Sequence, residues 1–178
     1  MNPGGAPTVV VVRRLAPGDL VHYKALRDAA LAAHPHAFSS DAGEARAQNS
    51  DSYLPRLGVQ RPADGHFTLG AWEGSDLVGA IGCERDLRSK VRHIGHIAGM
   101  MVRADRQARG IGRALLERCI AEARATQGLE MLTLNVTAGN LPAIRLYEGA
   151  GFVRYGSLPR AIKVDGEAFA KDQMVLTM

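Results

Sequence analysis

Two closely spaced glycines, Gly110 and Gly112, stand between a strand-like stretch that ends at Val102 and an amphipathic helical pattern. The first amides of a helix have no acceptor within the helix, and they lie at the positive end of its dipole. Glycine at such a start lets an anion approach the amides closely. Residues 107–113 are therefore predicted to form a phosphate-binding turn between a strand and a helix.

Positive charge is concentrated beside this turn. The chain has 22 Lys and Arg and 18 Asp and Glu, a formal charge of +4 at pH 7, and residues 85–113 hold eight of the basic side chains against two acidic ones. Nucleic-acid sites interleave cations with aromatic side chains, yet residues 85–113 contain no Phe, Tyr or Trp. The charge therefore favours a small polyanion such as pyrophosphate and argues against a nucleic-acid partner.

Two other phosphate-binding signatures fit this turn less well. A P-loop requires a glycine followed five residues later by Gly-Lys-Ser or Gly-Lys-Thr, which the chain lacks, and a dinucleotide fingerprint requires a third glycine where Leu115 stands. Two glycines also suit a tight turn before a surface helix with solvated arginines. Taken alone, the turn leaves both interpretations open.

The length of 178 residues, of which 46% are apolar, predicts a single domain over residues 1–178, with residues 1–7 as a flexible lead. Cys83 and Cys119 match no metal-binding or disulfide spacing, so we expect no metal site and a reducing, cytoplasmic location. No apolar run is long enough for a signal peptide or a spanning helix, so no membrane partner is expected.

Apolar periodicity predicts an alternation of strands and helices. Short links favour antiparallel neighbours, but the strands at residues 91–102 and 129–136 are joined through a helix and are expected to be parallel. The predicted strands are residues 8–15, 66–72, 77–84, 91–102, 129–136, 152–157 and 174–178, and the predicted helices are residues 19–34, 51–57, 110–127 and 140–151.

Two motifs resemble those of one protein family. The run Gln107-x-x-Gly110-x-Gly112 is similar to the acetyl-CoA signature [R/Q]-x-x-G-x-[G/A] of the GNAT family, the Gcn5-related N-acetyltransferases, and residues 140–152 resemble its N-x-x-A-x-x-L-Y-x-x-x-G-F motif. The order of elements agrees over residues 8–178. The resemblance implies a three-layer α/β fold, with a mixed, mostly antiparallel sheet of six or seven strands flanked by about four helices. Strands four and five are expected to be parallel and to splay apart.

The resemblance also implies an acyl-CoA-dependent N-acyltransferase with acetyl-CoA as co-substrate and no metal. In the family the pantetheine arm lies between strands four and five, and the pyrophosphate rests on the amides of the glycine turn. Carried onto this sequence, the residues implied to bind acetyl-CoA are Met101, Val102, Gln107, Ala108, Arg109, Gly110, Ile111, Gly112, Arg113, Asn140 and Ala143.

Acetyl transfer to an amine needs a base, a donor for the developing oxyanion and an acid for the leaving thiolate. Tyr147 occupies the family's acid position, and a phenol of pKa about 10 can donate to a thiolate of pKa about 8.5. The base is left open between Glu84, which ends the third strand, and His96 on the fourth. The oxyanion donor is expected to be an amide near Met100 or Met101, where the family's fourth strand carries a bulge.

The resemblance places the acceptor between two loops, here residues 34–52 and 157–172, whose mixed charges suit a small amine. We expect the acceptor to be the primary amine of a small molecule, such as an amino acid or a polyamine, which attacks directly in a ternary complex. The alternatives are acetylation of a protein or peptide at an N-terminus or lysine, and a CoA-binding module without catalysis. GNAT proteins are often dimers, so a homodimer is also possible.

Overall fold

A computed structural model describes residues 9–178, and the flexible lead predicted for residues 1–7 lies outside that range. The strands are β1 (Val10–Arg14), β2 (Phe67–Glu73), β3 (Asp76–Arg85), β4 (Ile94–Val102), β5 (Met131–Thr137), β6 (Val153–Val164) and β7 (Glu167–Thr177). They form a seven-stranded sheet in the order β1-β2-β3-β4-β5-β7-β6. The pair β4 and β5 is parallel, and the other neighbours are antiparallel.

Helices cover both faces of the sheet. They are α1 (Leu20–Ala33), α2 (Ala42–Ala47), α3 (Ile111–Ala125) and α4 (Leu141–Gly149), with a 3-10 segment at Ser50–Leu57. On one face α3 and α4 pack into the larger core, and on the other α1 and the 3-10 segment enclose a smaller one. This arrangement confirms the predicted three-layer fold. Within residues 9–178, no helix is both long and apolar enough to cross a membrane.

The two parallel strands separate part-way along their length. They pair at four positions, ending with Ile97 opposite Leu134, after which β4 continues beside β3 and β5 continues beside β7. A bulge follows in β4, where the register against β3 shifts, and Gly99 there has φ of 62°. The splay and the bulge are both as predicted, and together they open a gap in the middle of the sheet.

Two helices begin at this gap. Gly110 precedes the first residue of α3 with φ of 79°, a left-handed conformation that glycine adopts without strain. Asn140 precedes α4, and its side-chain oxygen accepts the amide proton of Ala143 at 3.4 Å. Such a cap satisfies one of the unpaired amides of the first turn. Both helix starts agree with the sequence prediction.

Two segments differ from the prediction. Residues 34–50, predicted to lack regular structure, contain α2, which Asp41 starts by accepting the Glu44 amide proton at 2.9 Å. The last hairpin is longer than predicted, so residues 157–172 are mostly paired strand and not a loop. The apolar pattern of the sequence did not reveal either element. Helix α2 has only six residues, and most side chains in the outer half of the hairpin are exposed or half-buried.

Candidate active site

The glycine turn leads directly into α3 and leaves its amides unused. Gly110 and Ala108 have positive φ, 79° and 60°, which turns the chain sharply before Ile111. Among residues 9–178, no backbone or side-chain oxygen accepts the amide protons of residues 108–113. Six consecutive amides at a helix start are therefore available to an anion.

Much of the positive charge beside this turn is neutralised within the protein. Arg106 lies 2.7 Å from Glu73 and 2.6 Å from Asp105, and Arg103 also pairs with Asp105. The two arginines within the turn, Arg109 and Arg113, are exposed and form no ion pair with another described residue. The cationic surface next to the amides is thus narrower than the sequence suggests, and these two side chains carry it.

A cavity of about 270 Å³, here called the gap cavity, opens where β4 and β5 separate. Four of the predicted site residues line it: His96 from β4, and Asn140, Ala143 and Tyr147 from the start and body of α4. A slightly larger cavity of about 280 Å³ lies elsewhere, around Gly58, and contains none of the predicted site residues. The gap cavity is therefore the candidate active site, because it contains the predicted site residues, although it is not the largest cavity.

The gap cavity adjoins the glycine turn. A Cβ built on Gly112 would lie 3.3 Å from Cε of Met100 and 3.5 Å from Cδ2 of Leu146, and both of these side chains line the cavity. A ligand bound to the six amides can therefore extend into the gap. Any side chain at position 112 would contact Met100 and Leu146, which lie between the glycine turn and the gap cavity.

The backbone of β4 offers hydrogen-bonding groups at the edge of the gap. The amide of Arg103 donates to Val78 in β3 at 2.8 Å. Because successive residues of a strand point their polar groups to opposite sides, Val102 turns its amide and carbonyl away from β3, whereas Met101 faces its partner Ala80. The Val102 carbonyl accepts a hydrogen bond from Nε2 of Gln107 at 3.4 Å. Of the two predicted backbone positions, only Val102 faces the gap.

Tyr147 borders the gap cavity with a side chain that is only 6% exposed. Burial raises the pKa of Tyr147 to about 12. Full proton transfer from such a phenol to a thiolate of pKa about 8.5 is unfavourable by about 5 kcal/mol. Tyr147 is therefore a weaker acid than the sequence analysis expects, and it is better suited to donating a hydrogen bond to a sulfur anion.

His96 borders the same cavity from β4, and its hydrogen bonds indicate its tautomer. The Thr133 hydroxyl donates to the Gly95 carbonyl at 3.3 Å and lies 3.1 Å from Nδ1 of His96. The hydroxyl therefore accepts from Nδ1–H, and Nε2 carries the free lone pair. Burial lowers the pKa of His96 below its ordinary value, although nearby Glu84 acts in the opposite direction. The imidazole is thus neutral and able to accept a proton at Nε2.

Glu84, the other candidate base, is engaged elsewhere. It lies opposite His96 in the β3–β4 ladder, and its carboxylate accepts from Nη1 of Arg56 at 3.5 Å. The side chain is not part of the gap-cavity lining, although Arg56 is. The structure therefore brings His96, and not Glu84, to the edge of the gap.

A third cavity of about 250 Å³, here called the outer cavity, shares Arg27, Ser39, Ser40 and Arg56 with the gap cavity. The segment between α1 and α2, which is part of the residues 34–52 expected to border the acceptor, thus lines both cavities. From residues 157–172 only Lys171 lines the gap cavity, and it donates to the Ser39 hydroxyl at 3.1 Å. Burial lowers the pKa of Lys171.

Sequence reasoning missed Arg27 and Lys171 as site residues. Arg27 stands four residues after Tyr23 and four before Leu31, so it falls on the buried stripe of α1. A charged residue on an apolar stripe is a detectable signal. Lys171 has no comparable signal, because it begins a polar run that continues through Asp172 and Gln173.

Comparison with known proteins decides the family. A family model described as the acetyltransferase (GNAT) family matches residues 23–152, which is more than half of the chain. The chain belongs to the GNAT family of acetyltransferases. This result confirms the recognition made from residues 107–112 and 140–152.

Relatives of this GNAT protein include enzymes with different acceptors. It is 34% identical over 84 residues to N-alpha-acetyltransferase 30 from Xenopus laevis, covering 47% of this chain and 30% of that protein. It is 30% identical over 127 residues to mycothiol acetyltransferase from Geodermatophilus obscurus, covering 71% of this chain and 38% of that protein. The chain thus spans about a third of the length of these relatives.

A solved structure confirms the fold of this GNAT chain over nearly its whole length. The acetyltransferase of the GNAT family from Streptococcus pneumoniae superposes with a TM-score of 0.86 and 28% identity, covering 96% of this chain and all of that one. Within residues 9–178, no group of three or more His, Cys, Asp or Glu side chains is placed to hold a metal ion.

Proposed function

We propose that this GNAT protein transfers the acetyl group of acetyl-CoA to the primary amine of a small molecule, by direct attack in a ternary complex. One observation carries the proposal. Six amides without acceptors at the start of α3 adjoin a cavity in the splayed sheet, and that cavity is bordered by a neutral imidazole at His96 and a protonated phenol at Tyr147.

The residues around the glycine turn fit the charge and shape of acetyl-CoA. The amides of residues 108–113 and the side chains of Arg109 and Arg113 would hold the pyrophosphate, because a helix start with nearby cations favours a phosphate anion. The open backbone edge at Val102 would bind the pantetheine arm. Asn140 and Ala143, which line the gap cavity at the start of α4, would contact the same arm.

Bound acetyl-CoA supplies the acetyl group as a thioester, and the protein supplies proton transfer and charge stabilisation. Nε2 of His96 takes the proton that the acceptor nitrogen loses. Backbone amides at the β4 bulge, next to Gly99, donate to the carbonyl oxygen as negative charge develops there. The Tyr147 hydroxyl donates a hydrogen bond to the departing sulfur, in keeping with a pKa of about 12.

The size of the two adjoining cavities supports a small acceptor. The gap and outer cavities have volumes of about 270 Å³ and 250 Å³ and share four lining residues, so they lie side by side. The similarity to N-alpha-acetyltransferase 30 over 84 residues supports a second candidate, acetylation of a protein or peptide N-terminus. That similarity extends over 47% of the chain, so it leaves much of the chain uncompared.

A thiol-release assay tests the proposal. Purified protein is mixed with acetyl-CoA and a panel of amino acids, polyamines, aminoglycosides and short peptides with free N-termini. We expect release of free CoA with at least one small amine and weaker turnover with peptides. Turnover with peptides alone would favour the second candidate. Binding of acetyl-CoA without thiol release with any amine would indicate a module without catalysis.

Domain organisation, location and oligomeric state complete the proposed function. We propose a single domain over residues 1–178, since the structure between residues 9 and 178 is one sheet with its two covering layers. A cytoplasmic location is proposed because Cys83 and Cys119 are buried free thiols, which suits a reducing compartment. A homodimer stays part of the proposal, to be tested by light scattering.

A further inference from the structure

A buried arginine stands beside the gap without a carboxylate partner. Arg27, in the middle of α1, is only 4% exposed. Nη2 donates to the Ser40 hydroxyl at 2.8 Å and the guanidinium lies 5.6 Å from the Tyr53 ring, whereas Nε has no hydrogen-bond partner. No Asp or Glu among residues 9–178 forms an ion pair with it. Buried charges are normally paired, so Arg27 lacks the anion that its position calls for.

The guanidinium lies between the two adjoining cavities. Arg27 lines both the gap cavity and the outer cavity. A Cβ built on Gly99 would lie 3.9 Å from Nη1 of Arg27, so the guanidinium reaches the bulge of β4. His96 lies three residues before Gly99 on the same strand and lines the same cavity. A group held by Arg27 is therefore next to the site of acetyl transfer.

The surroundings of Arg27 add positive charge to this wall. Arg56 and Lys171 line the gap cavity as well, and of the acidic side chains among residues 9–178 only Glu84 is bonded to one of them. Asp41 and Glu44 line the outer cavity, farther from the bulge, and neither pairs with Arg27. The part of the gap cavity beside the β4 bulge is thus suited to an anion, although the reacting group of the acceptor is an amine.

We propose that the acceptor carries a carboxylate next to its reacting amine, as a free amino acid does, and that Arg27 binds this carboxylate. The inference rests on the proposed function and narrows its substrate class. A guanidinium presents parallel N–H groups that match the two oxygens of a carboxylate. The Ser40 hydroxyl accepts from Nη2 and so helps to fix the orientation of the guanidinium.

Two other acceptors fit this wall poorly. A polyamine would bring a second cation towards Arg27, Arg56 and Lys171, where like charges repel. A peptide N-terminus has an amide where an amino acid has its carboxylate, so it would leave the guanidinium unpaired. Both classes are outcomes of the test.

The test compares amino acids with their carboxamides. Thiol release is measured for the twenty L-amino acids and for the same compounds with the carboxylate converted to an amide. The amide has the lower amino-group pKa and hence more free amine at neutral pH, so amine reactivity alone would favour it. We expect the wild type to prefer the best acid over its amide by about 30-fold in kcat/KM, in keeping with charge-assisted hydrogen bonds.

Variants assign the preference to Arg27. In Arg27→Gln the preference should fall to about threefold or less, with an unchanged KM for acetyl-CoA, and Arg27→Lys should keep part of it because the charge remains. Arg124→Gln removes an exposed arginine of α3 and is the matched control. Equal use of acids and amides by the wild type, or a preference that survives Arg27→Gln, would overturn the inference.

A binding measurement keeps this result separate from the proposed function. Thermal shifts are recorded with each amino acid and each amide, without any turnover. Absence of thiol release with every amine would contradict the proposed function, while stabilisation by an amino acid that is lost in Arg27→Gln would still support a carboxylate site. No stabilisation of the wild type by any amino acid, together with turnover of polyamines or peptides, would contradict the carboxylate site alone.

Discussion

The two sides of the gap in the sheet are built in different ways. The side towards α3 presents backbone: six amides of one continuous turn and the open edge of β4. The side towards α1 presents side chains from segments far apart in the sequence, namely Arg27, Ser40, Arg56, His96 and Lys171. A backbone site depends on chain conformation, and a side-chain site depends on residue identity. Substitutions on the two sides should therefore fail in different ways.

The largest effect is expected on the backbone side, from Gly112→Leu. The new Cβ would lie 3.3 Å from Met100 and 3.5 Å from Leu146, and the rest of the side chain would occupy the space beside the amides. We expect the KM for acetyl-CoA to rise about 100-fold, corresponding to about 2.7 kcal/mol of lost binding, because an anion site at a helix start depends on close approach. Steady-state kinetics with acetyl-CoA varied measures this rise.

The matched control for this change is Gly149→Leu. A Cβ at Gly149, near the end of α4, would meet no atom within 4 Å, so the same substitution there should leave the KM for acetyl-CoA near the wild-type value. Equal KM values for the two variants would remove the phosphate assignment from residues 107–113.

Tyr147→Phe separates chemistry from cofactor binding. The hydroxyl is the only group removed, and the ring keeps its edge contact with Phe152 at 5.9 Å. We expect kcat to fall about 10- to 100-fold through loss of the hydrogen bond to the leaving sulfur, while acetyl-CoA affinity stays nearly constant. Tyr155→Phe, at a position that is 59% exposed, is the control. Wild-type turnover in Tyr147→Phe would leave Tyr147 as a core residue.

The same contrast explains what the sequence could predict. The backbone side consists of contiguous motifs around Gly110, Gly112 and Asn140, and the conformations that they require are local. The parallel pair of β4 and β5 followed from one helical crossover between them. The family was therefore recognisable from residues 107–112 and 140–152.

The side-chain wall could not be assembled from the sequence in the same way. Its members lie on α1, the segment between α1 and α2, the 3-10 segment, β4 and β7, and their proximity depends on how α1 packs across the sheet. Sequence spacing left Glu84 and His96 as equal candidates because both were placed on neighbouring strands. Only side-chain contacts, with Arg56 for Glu84 and with Thr133 for His96, distinguish the two.

A smaller effect is expected when the proposed base, His96, is replaced on the side-chain wall. Burial lowers the pKa of His96, so the free enzyme should lose activity only as the pH falls below the ordinary value of about 6.5. In His96→Gln the slope of log(kcat/KM) below this pH should decrease by about one unit, with about a tenfold loss of kcat/KM at pH 8. Glu84→Gln should keep the slope, and loss of the slope in Glu84→Gln instead would identify Glu84 as the base.

Stability should follow the same titration. Because the folded protein resists protonation of His96 while the unfolded chain does not, unfolding takes up a proton as the pH falls below about 6.5. Folding stability is therefore expected to decline from pH 6.5 downwards, and His96→Gln should make that decline shallower. Melting temperatures between pH 5 and pH 8 measure the difference.

The smallest expected effect comes from Thr133→Val, which tests how the wall positions its base. Thr133 accepts from Nδ1–H of His96 and so keeps the lone pair on Nε2, but it does not itself line the gap cavity. Valine removes the hydroxyl, so the second tautomer is no longer excluded and the imidazolium loses a partner. We expect kcat to fall about three- to tenfold. The acidic limb of the profile of kcat/KM against pH should move to lower pH. Thr177→Val makes the same change at an exposed position of β7 and should alter neither quantity. If the role of Thr133 is purely structural, Thr133→Val should lower the melting temperature and the activity together but leave the acidic limb at the same pH. An unchanged acidic limb would therefore show that Thr133 does not act through His96.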